Sequence, residues 1–150
     1  MAAVTPWLQP DEPPAYLEEN LAGGGDFLIT VDHASARIPR CLGTLGVAEA
    51  DLSRHIAWDI GALGLARHMS RHLDATLIAS NYSRLVIDCN RDPRVPSAFP
   101  ELSEHTVIPG NVGLRHDDRE ARVEALFRPY QSLIHDLIEE RSAAGRRSRS

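Results

Sequence analysis

Apolar and polar positions alternate most clearly in Ser83-Arg84-Leu85-Val86-Ile87-Asp88-Cys89-Asn90-Arg91. Read as a strand, this stretch puts Leu85, Ile87 and Cys89 on one face. Arg84, Asp88 and Asn90 fall on the other face, with only Val86 apolar among them. Asp92-Pro93 ends the run and leaves Arg91 at its tip. Upstream, residues 26–31 form an apolar run rich in strand formers. They follow Gly23-Gly24-Gly25 and deliver Asp32-His33-Ala34-Ser35 to the carboxyl end, where open α/β sheets collect ligands. A phosphate-cradling loop needs its glycines after the strand, so the triple glycine does not read as a nucleotide site. Residues 76–79 read as a further strand. Only four residues link it to the alternating stretch, too few for a parallel crossover, so the two are antiparallel neighbours or one bent element. The sheet is therefore expected to be mixed.

Between these strands, Leu52, Ile56, Leu63, Ala66 and Leu73 follow helical spacing. Asp59 projects into the middle of that stripe, with His55 one turn before it and Gly61 and Gly64 weakening the helix. A carboxylate on an apolar helix face is costly unless it is paired, hydrogen-bonded or bound to a metal. It is either a buried cap for a neighbouring element or a ligand. Residues 92–115 read as a long proline-rich loop of the kind that is usually functional or a lid. Asp117 and Glu120 have capping-box spacing for a last helix that carries Val123, Leu126, Tyr130, Leu133 and Leu137 on one face. Pro129 should kink it near Ala125. Residues 1–24 read as an extended arm, with a short helical turn over 14–21, and residues 141–150 as a frayed, disordered tail.

At 150 residues the chain is one domain, long enough for a core, with 43% hydrophobic and 25% charged residues. A formal net charge of −5 argues against nucleic-acid binding. No apolar run reaches the roughly 18 residues of a membrane span, and the proline-rich N-terminus lacks the features of a signal peptide. The two cysteines, Cys41 and Cys89, read as free thiols in a reducing cytoplasm.

The polar set Arg84, Asp88, Asn90 and Arg91 suits recognition of a carboxylate. Arg offers a planar fork, Asn adds a donor, and Asp can hold a guanidinium in place. A solvated strand face with a surface ion pair would show the same spacing.

Four blocks taken in order add to this reading: Asp32-His33-Ala34-Ser35 with Ile38-Pro39, Ala57-Trp58-Asp59-Ile60-Gly61-Ala62, Tyr82-Ser83-Arg84 with Asp88-Cys89-Asn90-Arg91, and Ile108-Pro109-Gly110-Asn111. With them the chain resembles the N-formylglutamate amidohydrolase family over about residues 28–138. That family is similar to zinc carboxypeptidases and N-acyl amino acid deacylases, which implies an α/β fold with a mixed, mostly parallel sheet flanked by helices. The resemblance implies a mononuclear zinc hydrolase that splits N-formyl-L-glutamate, or a similar N-acyl amino acid, into formate and glutamate. It implies His33 and Asp59 as metal ligands. Asn90 and Arg91 would grip the substrate carboxylate, and Arg84 would polarise the scissile carbonyl with Asp88 supporting its guanidinium. Arg37 and Arg94 are further cations for a substrate with two carboxylates. The family has Pro-Tyr-His where this chain has Pro129-Tyr130-Gln131. Family members also continue with a later His ligand and a Glu general base, so the domain is expected to be incomplete at its C-terminal end and turnover by this chain alone to be low.

Three classes of protein follow. One is a hydrolase completed by self-association or by a complementing chain. Another is an inactive, truncated relative that binds ligands or partners. The third is a plain α/β interaction module, against which the ordered motifs argue.

Overall fold

The computed structural model describes residues 7–145. Its main sheet has three strands, β1 (Tyr16–Glu19), β2 (Leu28–Val31) and β3 (Thr76–Ser80), in the order β1-β3-β2. Every residue of β3 is buried, as a central strand requires. It pairs parallel with β2, Leu28 opposite Thr76, and antiparallel with β1, Tyr16 opposite Ser80. The sheet is mixed, as expected, with one pairing of each kind rather than mostly parallel among the described residues. Residues 14–21 thus hold a strand where a helical turn was expected, because β3 offers them a complete ladder. The arm is ordered over its described part, while residues 1–6 lie outside the described residues.

The link from β2 to β3 carries a 3₁₀ turn (Arg40–Leu42), a short helix α1 (Glu49–Leu52) and α2 (Ala62–Leu73). The long helix expected from Leu52 onward is broken: turns occupy residues 53–61, and Gly61, at φ 83°, forms the N-cap of α2. Helix α2 packs on β2 and β3 and ends at Asp74, whose own φ is 48°. The glycine run sits against this helix end. A Cβ at Gly25 would lie 2.1 Å from the Leu73 carbonyl oxygen, while the Gly24 amide donates to the Asp74 carboxylate at 2.9 Å. Close backbone approach is the use of these glycines.

Residues 83–91, expected as a strand, form turns instead. The Val86 amide donates to the Ser83 carbonyl at 3.0 Å, and the Arg91 amide to the Asp88 carbonyl at 3.1 Å. The carbonyls of Leu85 and Val86 are taken by side chains, Asn111 Nδ2 at 2.7 Å and an Arg122 guanidinium nitrogen at 2.8 Å. Leu85, Val86, Ile87 and Cys89 are all buried in the main core with Tyr82, Phe99, Ile108, Leu126 and Tyr130.

The proline-rich stretch after it holds a small hairpin, β4 (Leu102–Ser103) with β5 (Thr106–Val107), between two 3₁₀ turns. Helix α3 (His116–Arg122) starts at Arg115, whose amide approaches the Asp118 carboxylate at 3.4 Å, so the capping partner is Asp118 and not Glu120. A π turn over Val123–Phe127 then leads into α4 (Arg128–Ala143). The irregular turn falls where Pro129 lacks the amide that would reach back to Ala125. Helix α4 extends into the segment expected to fray. Arg141 is buried and donates to Thr76 Oγ1 at 3.0 Å. Residues 146–150 lie outside the described residues.

Candidate functional site

The site forms where three connections meet beyond the carboxyl end of β2. His33 arrives directly from that strand. Its carbonyl accepts from the Asp59 amide at 2.9 Å, which brings the turn before α2 alongside it. Asp88 arrives on the turns after β3, its amide tied to the Ala98 carbonyl at 2.8 Å.

His33 lies between two carboxylates. Its Nε2 is 2.6 Å from Asp88 Oδ1, and its Nδ1 is 3.4 Å from Asp59 Oδ2. The expected approach of His33 and Asp59 is met, but Asp59 reaches it from a half-exposed turn and not from an apolar helix face. One Arg84 nitrogen contacts both groups, at 3.2 Å from His33 Nδ1 and 2.9 Å from Asp59 Oδ1. The rest of the Arg84 guanidinium is spent on the preceding turns. It donates to the carbonyls of Ile56 at 3.0 Å and Trp58 at 3.4 Å, and also to that of His55. The His55 side chain instead meets Glu104 at the hairpin tip, 2.6 Å away.

Asp88 holds His33 where support of Arg84 was expected. Its Oδ1 also accepts the Asn90 amide at 3.0 Å, and Arg91 Nε lies 3.4 Å from its Oδ2. The hydrogen bond to Asp88 raises the His33 pKa above its ordinary 6.5 and outweighs burial, while the nearby charges of Arg84 and Asp59 act in opposite senses. For Asp88, burial raises the pKa, but the bonds from His33 and the Asn90 amide more than offset it and leave it below 3.8.

These shifts set a stability window. The raised His33 value contributes stability that is complete below pH 6.5 and lost as pH rises through the folded value. The lowered Asp88 value contributes stability that is complete above pH 3.8 and lost as pH falls through its folded value. The difference in urea midpoint between the native chain and Asp88→Asn is therefore expected to peak between those limits. A difference that does not vary with pH would show that the pair titrates as it does in the unfolded chain.

Three open clefts adjoin this centre. Arg84, Asp88 and Arg91 line one of about 530 Å³, which also includes Glu101 and Glu104. His33, Asp59 and Asn90 line another of about 350 Å³. Asn90 and Arg91 share the largest, about 650 Å³, with Gln131 and Phe127. Arg91 thus opens onto two clefts and is more than half exposed, so its fork is accessible. Arg94 is committed to Asp92, at 2.6 Å, and holds that carboxylate down to about 2. Arg37 is exposed and has no part in the cluster.

The profile of the N-formylglutamate amidohydrolase family matches residues 25–148. The chain belongs to this family. A crystal structure of a gene product from Agrobacterium tumefaciens is 46% identical to it, with a TM-score of 0.93. The match covers 95% of this chain and 56% of that one, so the chain spans little more than half the length of that neighbour. No curated protein matches it. Among the described residues, no helix is long and apolar enough to cross a membrane.

Two side chains here have the donor chemistry to hold a metal ion. With Nε2–H turned to Asp88, the Nδ1 lone pair of a neutral His33 and the Asp59 carboxylate face the same spot. A carboxylate behind a ligating histidine is the usual orienting arrangement. Among the described residues no group of three or more His, Cys, Asp or Glu side chains is set to hold a metal. The fit is therefore to two donors.

The sequence reading named Asp32, Asn111 and Tyr130 without giving them partners, and it passed over Arg122. Tyr130 Oη donates to Asp32 Oδ1 at 2.5 Å, and Gln131 Nε2 donates to the Cys89 carbonyl at 2.8 Å. Asn111 bridges the Leu85 and Pro100 carbonyls, both at 2.7 Å, while its own oxygen accepts from Arg122 at 2.6 Å. A pattern search finds helix faces, and these contacts cross between elements far apart in the chain.

Proposed function

We propose that this chain carries out zinc-dependent hydrolysis of N-formyl-L-glutamate, or a similar small N-acyl amino acid, releasing formate and the free amino acid. The observation that carries the reading is His33 held by Asp88 on one nitrogen and facing Asp59 with the other, in a chain of the N-formylglutamate amidohydrolase family. His33 and Asp59 would hold the metal. Zinc bound there would acidify its water toward pH 7 and stabilise the developing oxyanion.

The chain's own residues divide the remaining work. Arg91 offers a planar fork to the substrate carboxylate, with Asn90 beside it, and Asp88 restrains the Arg91 side chain. Arg84 keeps one edge on the loop carbonyls and turns the other toward His33 and Asp59, where it would polarise the scissile carbonyl. The two unbridged thiols suit a reducing cytoplasmic setting. Two donors hold zinc loosely, so turnover by this chain is expected to be slow and to depend on free zinc.

The test is formate release from N-formyl-L-glutamate by the zinc-loaded chain, beside the metal-stripped chain and Arg84→Ala. Release in step with free glutamate, lost in both controls, is expected. Equal release in all three samples would overturn the reading. In a parallel titration with glutarate, a dicarboxylate that cannot be hydrolysed, Arg91→Lys should bind more weakly because the bidentate fork is lost. Equal affinities would remove Arg91 from the carboxylate site.

A further inference from the structure

His33 and Asp88 come from connections far apart in sequence, yet their side chains meet at 2.6 Å. Among the backbone bonds of residues 83–98, the Asp88 amide goes to Ala98 and the Val86 amide to Ser83, within the same stretch, while the Ser83 amide donates across to the Arg37 carbonyl at 2.7 Å, four residues past His33. Next to the pair itself, α4 also touches both sides. Two consecutive residues in its first turn reach the two sides. Tyr130 Oη donates to Asp32 Oδ1 at 2.5 Å, next to His33 in the chain. Gln131 Nε2 donates to the Cys89 carbonyl at 2.8 Å, next to Asp88.

We infer that Tyr130 and Gln131 are positioning residues that set the His33–Asp88 separation, one by holding Asp32 and the other by holding the Cys89 peptide. The inference deepens the zinc-hydrolase reading and rests on it only for the consequence to metal affinity.

The physical argument has three parts. Tyr130 is fully buried in the core, so its ring has one placement and its hydroxyl a fixed reach. The carboxylate bond it makes is of the short, charge-assisted kind that resists displacement. The π turn over Val123–Phe127, directly before α4, alters the rotation of the helix and so decides which residues face the site. Without that extra residue in the turn, Tyr130 and Gln131 would point about 100° away from their present directions.

An imidazole N–H donated to a carboxylate exchanges slowly with water and resonates well downfield of amide protons. The experiment therefore follows that proton in the native chain, assigned through its loss in Asp88→Asn. It is compared with the same proton in Tyr130→Phe, which keeps the ring, and in Gln131→Met, which keeps the side-chain length. Ser70→Ala serves as a control. It removes a buried bond of 2.6 Å to the Ala75 carbonyl at the opposite end of β3, and so costs stability without touching the site. The expected result is that the proton broadens or moves upfield in both α4 variants and is unchanged in Ser70→Ala. Zinc affinity, measured by titration of the metal alone, should fall in the same two variants, by less than the roughly 10- to 100-fold expected when the direct partner of a ligating histidine is lost. A sharp, unshifted resonance in folded Tyr130→Phe and Gln131→Met would overturn the inference. Failure of the native chain to bind zinc would sink the metal reading and leave the positioning role to be decided by the resonance.

Discussion

Replacing Arg122 with Met is expected to lower the unfolding free energy by about 2–5 kcal/mol. Arg122 is 2% exposed, yet its hydrogen bonds go to uncharged oxygens. One nitrogen donates to the Val86 carbonyl at 2.8 Å and to Asn111 Oδ1 at 2.6 Å, and the other reaches the Gly110 carbonyl at 3.5 Å. Burial lowers its pKa, partly opposed by the charge of Asp118. Two effects compete in the variant. Removing a buried cation relieves its desolvation, which favours Met. Against that, two buried acceptors lose their donor, and each costs about 1–3 kcal/mol when left bare. The acceptors prevail because they are joined. Asn111 also holds the Leu85 and Pro100 carbonyls, so its displacement loosens the turns that carry Arg84 and Asp88. Urea unfolding of Arg122→Met measures the sum. A midpoint equal to that of the native chain would show that water or the Met side chain's neighbours take over these contacts.

Zinc affinity should respond to four substitutions in a particular order. His33→Ala and Asp59→Asn each remove a proposed donor and should reduce it by more than about 100-fold, beyond what outer-shell partners contribute. Asp88→Asn removes only the support behind Nε2 and should cost about 10- to 100-fold. Arg84→Met should have the opposite sign. Its guanidinium lies within 3.2 Å of His33 Nδ1 and 2.9 Å of Asp59 Oδ1, the atoms that a metal would use. A cation in that position repels a second cation and competes for both donors, so its removal should raise zinc affinity. The same variant should lose affinity for glutarate. Isothermal titration of zinc and of glutarate against each protein separates the two effects. Loss of zinc affinity in Arg84→Met would mean that the guanidinium orients the donors more than it blocks them.

Local chain preference made several features legible in advance. The β2 and β3 segments are runs of strand formers, although the short link after β3 leads into turns and not into the second strand it was read to join. The carboxyl end of β2 presents Asp32 and His33 as expected, because strand direction alone determines which residues emerge there. The residues of the motifs around Asp59 and Asn90-Arg91 do come together, around His33 and Asp88.

What the pattern could not decide was how the stretch 83–91 is held. Its alternation suits a strand, but a strand needs a neighbour with free peptide groups. Here β1 already occupies the far side of β3, and the Leu85 and Val86 carbonyls are claimed by Asn111 and Arg122 from later in the chain. Burial of Leu85, Ile87 and Cys89 survives that change, whereas the strand does not. Asp59 shows the same limit. Helical spacing placed it on an apolar face, but Gly61 in the left-handed region delays α2, and the carboxylate lies free to meet Arg84 and His33. Local sequence determined which segments are apolar and where the strands point. Only tertiary packing decided which polar groups satisfy one another, because partners such as Asn111 with Arg122 or Asp32 with Tyr130 lie 11 to 98 positions apart and no local preference couples them.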